Sequence, residues 1–284
     1  MTYLITQTLN GLFSAALLFL IASGLTLAFG VMRIVNIAHG SFYMLGAYVA
    51  YTVTARTQSL LAGAVAAMAG VALVGFAVER FFLRRLAAQP LAQMMMTMGF
   101  ALVFRDAALM IWGGDPFTLP YPPGLAGSFA AGDVVFPLYR LFVVLVAAAV
   151  GVALWAVNEK TLLGAKLRAA VDDPEMAGGT GINVGLLSGL VFAAGAALAA
   201  FGGVMGGPIL GGYPGMDFDL LPLAFVVVII GGMGSLKGAL AGSIVVGLVD
   251  NFGKALVPEL SYFTLFAPMV IVLAIKPTGL YGRA

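Results

Sequence analysis

Long apolar runs, separated by short polar intervals, make up most of this 284-residue chain. The run 141–154, for example, contains no polar side chain. Strands of a membrane β-barrel alternate apolar and polar residues over about ten positions, so uninterrupted runs exclude that architecture. A bilayer core about 30 Å thick requires about 20 apolar residues per helix, which allows this chain about eight to ten crossings. The sequence therefore predicts an all-α, polytopic helical membrane protein.

Nine apolar segments are candidate membrane spans. The chain is 62% hydrophobic and 9% charged, whereas soluble domains contain about 25% charged residues. We therefore predict one transmembrane domain over residues 1–284, with eight or nine spans. The two segments 40–55 and 219–233 are short for a crossing and are candidates for broken or re-entrant helices. The segments are 5–30, 40–55, 59–79, 91–112, 134–157, 183–205, 219–233, 238–254 and 261–276.

Basic residues are concentrated in two of the intervals between these segments. The intervals 80–90 and 158–182 contain six lysines and arginines, whereas the intervals 113–133 and 206–218 contain none. Basic residues in short loops mark the cytoplasmic side, so we expect the first pair inside and the second pair outside. The acidic residues of the second pair are Asp115, Asp133 and Asp217. With nine crossings the amino terminus is outside, and the basic residues that join the inner side are Arg33, Lys237, Lys276 and Arg283.

The interval 158–182 is the longest charged stretch of the chain. Asp173 followed by Pro174 is typical of an N-cap and the first residue of a helix, and two glycines at 178–179 end that helix soon afterwards. Apolar residues recur at helical spacing before it, at Leu163, Leu167 and Ala170. The pattern predicts an amphipathic helix followed by a very short capped helix. Two interpretations remain open here: a rigid docking element for a cytoplasmic partner, or a helical linker on the bilayer surface.

Polar residues interrupt the first apolar region near 30–44. Polar groups at membrane depth require partners, and irregular backbone is tolerated there only within protein or along a cavity. One interpretation is a broken helix facing a translocation path, with Asn36, His39 and Ser41 near the bend. The other is an ordinary cytoplasmic turn in which neighbouring carbonyls satisfy His39.

Two further features concern the helices themselves. Glycines often recur four residues apart, as at Gly203 and Gly207, and small residues at this spacing let membrane helices approach closely. Arg105 and Asp106 lie late in the fourth apolar segment, where neighbours on a helix point about 100° apart, so they are not partners of each other. The position of Arg105 near the outer interface favours a side chain that extends towards water.

Patterns that carry catalytic chemistry are missing from the sequence. One histidine and no cysteine leave no cluster with metal-ligand spacing. The glycine-rich stretch 231–238 is not a phosphate loop, because Lys237 follows leucine and no Gly-Lys-Ser/Thr is present. We expect a transport protein and not an enzyme, with no cofactor or metal of its own; any ATP is bound by another polypeptide. Nothing indicates a nucleic acid partner.

The main alternative is a self-sufficient secondary transporter or channel. Such a protein needs its own coupling groups, and carboxylates near the midplane are sparse. Asp250 is the only candidate well inside the second half of the chain, and it lies towards the outer end of a segment. A membrane enzyme is a third and weaker alternative, because no site constellation supports it.

Several motifs together carry a family resemblance. The segment 24–40, Gly-Leu-Thr-Leu-Ala-Phe-Gly-Val-Met-Arg-Ile-Val-Asn-Ile-Ala-His-Gly, followed by Met-Leu-Gly-Ala-Tyr at 44–48, closely resembles the permease subunits of branched-chain amino acid ABC transporters. The segments 96–99, 168–183, 231–239 and 276–283 resemble that family as well. The resemblance covers essentially the whole chain in order, and it fits the shorter of the two paralogous permeases.

The resemblance implies an importer subunit of the bacterial inner membrane, surrounded by lipid. Its implied partners are a second paralogous permease, two cytoplasmic ATP-binding subunits and a periplasmic substrate-binding protein. Many members carry an acidic residue after the His-Gly pair, where this chain has Ser41. That departure leaves the substrate open among branched-chain amino acids, urea, short amides and aromatic acids.

The candidate site residues fall into two groups. The residues expected to couple to the ATPase are Arg168, Ala169, Asp172, Asp173, Pro174, Met176, Ala177 and Gly181. The residues expected near the translocation path are Asn36, His39, Gly40, Ser41, Tyr43, Met44, Met96 and Thr97.

Overall fold

A computed structural model describes residues 1–87, 89–132 and 134–282. Apart from one short hairpin, the elements of these residues are helices, as the apolar runs predict. The α-helices are α1 (Thr2–Met32), α2 (His39–Thr57), α3 (Leu60–Phe81), α4 (Pro90–Trp112), α5 (Leu138–Lys160), α6 (Leu162–Asp172), α7 (Pro174–Gly179), α8 (Val184–Leu210), α9 (Met216–Gly231), α10 (Leu236–Leu256) and α11 (Ser261–Ile275). Two 3₁₀ turns cover Leu83–Leu86 and Pro258–Leu260.

The hairpin lies where the sequence predicted the start of a span. Strands β1 (Ser128–Ala131) and β2 (Val134–Pro137) pair antiparallel, with Phe129 opposite Phe136. The predicted span 134–157 therefore begins too early, and α5 starts only after Pro137. Proline has no backbone N–H to donate and has φ fixed near that of a helix, so it ends a strand and permits a helix to follow.

Each of the nine predicted spans contains a helix, but the number of helices able to cross a membrane by themselves differs from the prediction. Within the described residues, six are long and apolar enough to do so: α1, α3, α4, α5, α8 and α10. The three others are α2, α9 and α11. The α9 and α11 helices have only 16 and 15 residues, and α2 is a polar-containing helix whose amino-terminal half is buried by protein. Because protein covers α2, it does not need the apolar composition of a lipid-exposed span.

The centre of the bundle is formed by α1, α2 and α8, which approach one another at small residues. A Cβ atom on Gly203 of α8 would lie 2.1 Å from the carbonyl oxygen of Tyr43 in α2. A Cβ atom on Gly24 of α1 would lie 2.4 Å from the carbonyl oxygen of Gly195 in α8. The predicted close approach of helices at glycine is therefore confirmed, and it brings backbone against backbone.

The two predicted cytoplasmic loops lie at one end of the bundle. Arg84 donates a hydrogen bond to the carbonyl of Gly185, the second residue of α8, and Arg33 donates to the carbonyl of Val171 at 3.3 Å. The carboxyl-terminal tail reaches the same end, since the N–H of Tyr281 donates to the carbonyl of Gly231 at 2.8 Å. We call this the basic end.

The two predicted outer loops meet at the opposite end. Phe117 and Gly212 exchange two backbone hydrogen bonds, of 2.9 and 2.8 Å. These loops are separated from the basic end by the length of α8, about 40 Å at 1.5 Å per residue. The relative placement of the four loops thus agrees with the charge pattern, while the side of the membrane on which each end lies stays a prediction. Asp133 and Arg283, which the charge argument included, lie outside the described residues.

Candidate functional site

The predicted break in the first apolar region is present. Helix α1 ends at Met32, and Arg33 follows with φ 54°, in the left-handed region that non-glycine residues seldom occupy. Residues 33–36 are irregular and α2 begins at His39. The imidazole Nε2 of His39 lies 2.9 Å from the carbonyl oxygen of Ile21, which is about 16 Å along α1 from Met32. Helix α2 therefore begins beside the middle of α1.

This geometry combines parts of both interpretations of the segment. The chain turns back into the bundle after Arg33, which is the arrangement expected of a broken helix. His39 nevertheless has a carbonyl partner, as expected of an ordinary turn. Because α2 begins at the depth of Ile21, the irregular backbone enters the membrane region and is held there by protein.

Seven of the eight predicted path residues are buried inside this subunit. The exposed fraction is 0–2% for Asn36, His39, Ser41, Tyr43, Met44 and Thr97, and Gly40 is also buried. Met96, with 36% exposure, is the exception. Two polar atoms of this group, the Asn36 amide oxygen and the Tyr43 hydroxyl, have no hydrogen-bond partner among the described residues. Buried polar atoms are normally paired with protein, ordered water or a ligand.

Thr97 connects α4 to the irregular segment. Its hydroxyl accepts a hydrogen bond from the N–H of Ile37 at 3.2 Å and donates to the carbonyl of Met94 at 2.8 Å. The single hydroxyl therefore satisfies a donor of the irregular backbone, which has no helical partner there.

Asp217 is a polar residue of this region that the sequence analysis did not select. Its carboxylate accepts a hydrogen bond from the Ser41 hydroxyl at 2.8 Å, and the residue is only 2% exposed. The other carboxylate oxygen has no partner among the described residues. The charge pattern predicted Asp217 in an outer loop, and this prediction is wrong: Asp217 lies in the first turn of α9, inside the bundle. The sequence did contain one indication that Asp217 is buried: it lies just before the predicted segment 219–233, which is too short to cross a membrane alone.

The loop 158–182 folds as predicted, into an amphipathic helix and a short capped one. The hydroxyl of Thr161 caps α6, and an Asp173 carboxylate oxygen accepts hydrogen bonds from the N–H groups of Glu175 and Met176, at 3.1 and 2.9 Å. Pro174 occupies the first turn of α7, where a missing N–H does not matter. The cap and the proline together define where α7 begins.

Two of the predicted coupling residues contact the rest of the protein, and the other six are exposed. Ala177 is 3% exposed and packs in one cluster with Ala170, Leu187 and Val191. Arg168 is half-buried and donates a hydrogen bond to the carbonyl of Asn158. The remaining members are exposed at the basic end: Ala169, Asp172, Asp173, Pro174, Met176 and Gly181.

A cavity of about 500 Å³ lies at the basic end, between the end of α1 and α6. Its walls include Arg33 from the irregular segment, Arg168 and Val171 from α6, and Lys237 at the start of α10. The hydrogen bond from Arg33 to Val171 joins the residue after α1 to α6. Helix α6 is therefore in direct contact with the irregular segment that follows α1.

These features define a class: a multi-pass helical membrane protein with a re-entrant segment and an exposed short helix at its basic end. No group of three His, Cys, Asp or Glu residues in the described part of the chain is placed to hold a metal ion. The chain belongs to the family described as branched-chain amino acid transport system / permease component, whose family model matches residues 7–273. It is a multi-pass protein of the bacterial inner membrane.

Curated relatives match over nearly their whole length. The chain is 29% identical to a high-affinity branched-chain amino acid transport system permease protein of Pseudomonas aeruginosa, over 98% of this chain and 95% of that protein. It is 28% identical to the corresponding protein of Escherichia coli, over 99% and 96%. A solved ABC transporter of metal-chelate type shows 18% identity and a TM-score of 0.48 over 94% of this chain and 85% of that chain, too low to bear on function.

Proposed function

We propose that this chain is the permease subunit of a binding-protein-dependent ABC importer. Its cargo in this proposal is a branched-chain amino acid or a related small polar or carboxylate solute. The family and the named activity of the relatives support the class of cargo. The observation that carries the mechanism is α7, a short capped helix whose outer face is exposed while Ala177 holds its inner face to α8.

In this proposal ATP is bound and hydrolysed by two separate cytoplasmic subunits that dock on the exposed face of α6 and α7. A rigid element suits this role, because its N-cap and its packed inner face let it move as one body. Motion of α7 reaches α8 through Ala177, Leu187 and Val191. It reaches the break after α1 through α6 and the Arg33–Val171 hydrogen bond. No group of this chain has to react with nucleotide.

A second paralogous permease completes the path in this proposal, and a periplasmic substrate-binding protein delivers the solute to the opposite end. The unpaired oxygens of Asn36, Tyr43 and Asp217 support a path close to the irregular segment, since solute or water would satisfy them. Exposed apolar side chains on the outer helices, such as Leu73 and Leu145, suit contact with lipid.

Photo-crosslinking tests the docking proposal. Met176 is 67% exposed on α7, so a benzoylphenylalanine residue at this position should capture an ATP-binding subunit in native membranes. Ala177 is unsuitable because its side chain faces the bundle. The control position is Ser128 in β1, which is exposed at the opposite end. It should never capture the ATP-binding subunit. Capture of lipid alone at Met176 in an active complex would contradict the docking assignment.

A further inference from the structure

A group of charged residues lies on an exposed face of the bundle near the start of α9. Tyr213 donates a hydrogen bond to the Asp219 carboxylate at 2.6 Å, and both residues are exposed. The guanidinium of Arg105 lies 5.8 Å from the centre of the Phe218 ring and beside Gly215. Arg105 also interacts electrostatically with the buried carboxylate of Asp217. Arg105 of α4 thus lies against Phe218 of α9, the residue next to Asp219 in the sequence.

The depth of this group is unusual for exposed charge. Asp219 lies about 18 Å along α9 from Gly231, which is at the basic end, and the hydrocarbon core is about 30 Å thick. Arg105 lies about 10 Å along α4 from Trp112. Charged groups at such depth normally face a water-filled cavity or the interior of an assembly and mark substrate pathways. The face carrying Arg105 and Asp219 is therefore unsuited to contact lipid tails.

The charges of the group do not neutralise one another through direct pairing. Among the described residues, neither Arg105 nor Asp219 takes part in an ion pair; the pairs Arg84–Glu79 and Lys254–Asp250 lie elsewhere. Arg105 donates no hydrogen bond to another described residue. Behind the exposed charges, one Asp217 oxygen is unpaired although the residue is 98% buried.

We propose that Arg105 and Asp219 form a binding site for a zwitterionic α-amino acid in the translocation path. The Arg105 guanidinium binds the α-carboxylate, and the Asp219 carboxylate, oriented by Tyr213, binds the α-ammonium group. Asp217, two residues earlier on α9, lies on the buried face of the helix, where it accepts the hydrogen bond from Ser41. This inference rests on the proposed import function and adds to it the residues that recognise the solute.

The surroundings of the charges suit an apolar side chain on that amino acid. The Phe218 ring lies next to Arg105, and Leu102 and Met98 precede Arg105 on one face of α4, by three and seven residues. Leu102 and Met98 are 46% and 37% exposed. A solute with two opposite charges and an aliphatic side chain can therefore pair both charges and still contact apolar surface.

Uptake by the complete complex tests this assignment. The complex is isolated through a tag on this chain, reconstituted in proteoliposomes and supplied with ATP and leucine-loaded binding protein. Asp219→Asn and Arg105→Gln should each lower leucine uptake about tenfold or more, since each removes a charge-assisted hydrogen bond. ATP hydrolysis by the complex should stay within about twofold, because the group is far from the basic end. Asp219→Glu should restore most of the uptake.

The matched control is Asp106→Asn, which removes a carboxylate from the residue next to Arg105 on another side of α4. It should leave uptake within about twofold of the unchanged protein. Normal uptake by Asp219→Asn, or equal losses in Asp219→Asn and Asp219→Glu, would overturn the site. Failure of the unchanged complex to import leucine would instead overturn the proposed function on which the site rests.

Discussion

Replacing Glu79 with glutamine is expected to lower the free energy of unfolding by about 3 kcal/mol, because it leaves the charge of Arg84 without its partner. Arg84 pairs with the Glu79 carboxylate at 2.7 Å, and the Glu79 side chain is only 2% exposed. The same guanidinium donates to the carbonyl of Gly185 at the start of α8. The pair therefore joins α3 to the end of the loop that carries α6 and α7. The measurement is the thermal unfolding midpoint of the purified protein in detergent.

An exposed ion pair on α10 gives the control. Lys254 and Asp250 are also 2.7 Å apart, but the lysine side chain is 61% exposed and the two residues lie four apart on α10. Pairs of this kind contribute about 0–1 kcal/mol, so Asp250→Asn should scarcely change the midpoint. Adding Arg84→Met to Glu79→Gln should recover much of the loss, since the unpaired charge is then gone. Equal unfolding midpoints for Glu79→Gln and Asp250→Asn would contradict the prediction, because the buried Arg84–Glu79 pair would then contribute no more stability than the exposed one.

Replacing Gly203 with alanine should have an effect of similar size, about 3 kcal/mol, through overpacking. The new Cβ atom would lie 2.1 Å from the Tyr43 carbonyl oxygen and 3.1 Å from the backbone nitrogen of Ala47. Backbone atoms cannot rotate away, so α2 and α8 must separate. That separation also displaces Ser41 from Asp217, so uptake should fall together with the unfolding midpoint.

Gly70→Ala in α3 is the matched control for Gly203→Ala. Outside the backbone of its own helix and its chain neighbours, no described atom lies within 4 Å of a Cβ built on Gly70. Alanine is a better helix former than glycine by about 1 kcal/mol, so this substitution should leave stability unchanged or raise it slightly. A loss of stability in Gly70→Ala as large as that in Gly203→Ala would show that the α2–α8 contact is not the cause.

The helical part of this fold was predictable because its signals are local. Apolar runs locate the helices, and the Asp173-Pro174 pair locates the start of α7 through hydrogen bonds that span three residues. Glycines four apart predicted close helix contacts. The hairpin at 128–137 was not predicted, because the residues of β2 are apolar and directly precede the apolar run of α5. By composition alone they cannot be distinguished from the first turn of a membrane helix. Helix α7 has only six residues, so its sequence shows no apolar periodicity from which the inward orientation of Ala177 could be predicted.

The polar contacts of the candidate site could not be predicted in the same way. Ser41 and Asp217 are 176 positions apart in the chain, and they meet only because α2 and α9 both begin inside the bundle. An aspartate beside a short apolar segment has the composition of a loop, so the charge pattern placed Asp217 outside. The pairing of Arg84 with Glu79 depends on the 3₁₀ turn after α3, which bends the chain back.

Leucine uptake with and without ATP tests the central claim, that this chain forms a path for solute but is driven by ATP-hydrolysing partners. Proteoliposomes containing the complete complex should accumulate radiolabelled leucine only when ATP is present on the side of the ATP-binding subunits and loaded binding protein is present on the other. Proteoliposomes containing this chain alone should neither hydrolyse ATP nor accumulate leucine under a proton or sodium gradient. Accumulation by the chain alone under such a gradient, without ATP, would contradict the account and identify a secondary transporter.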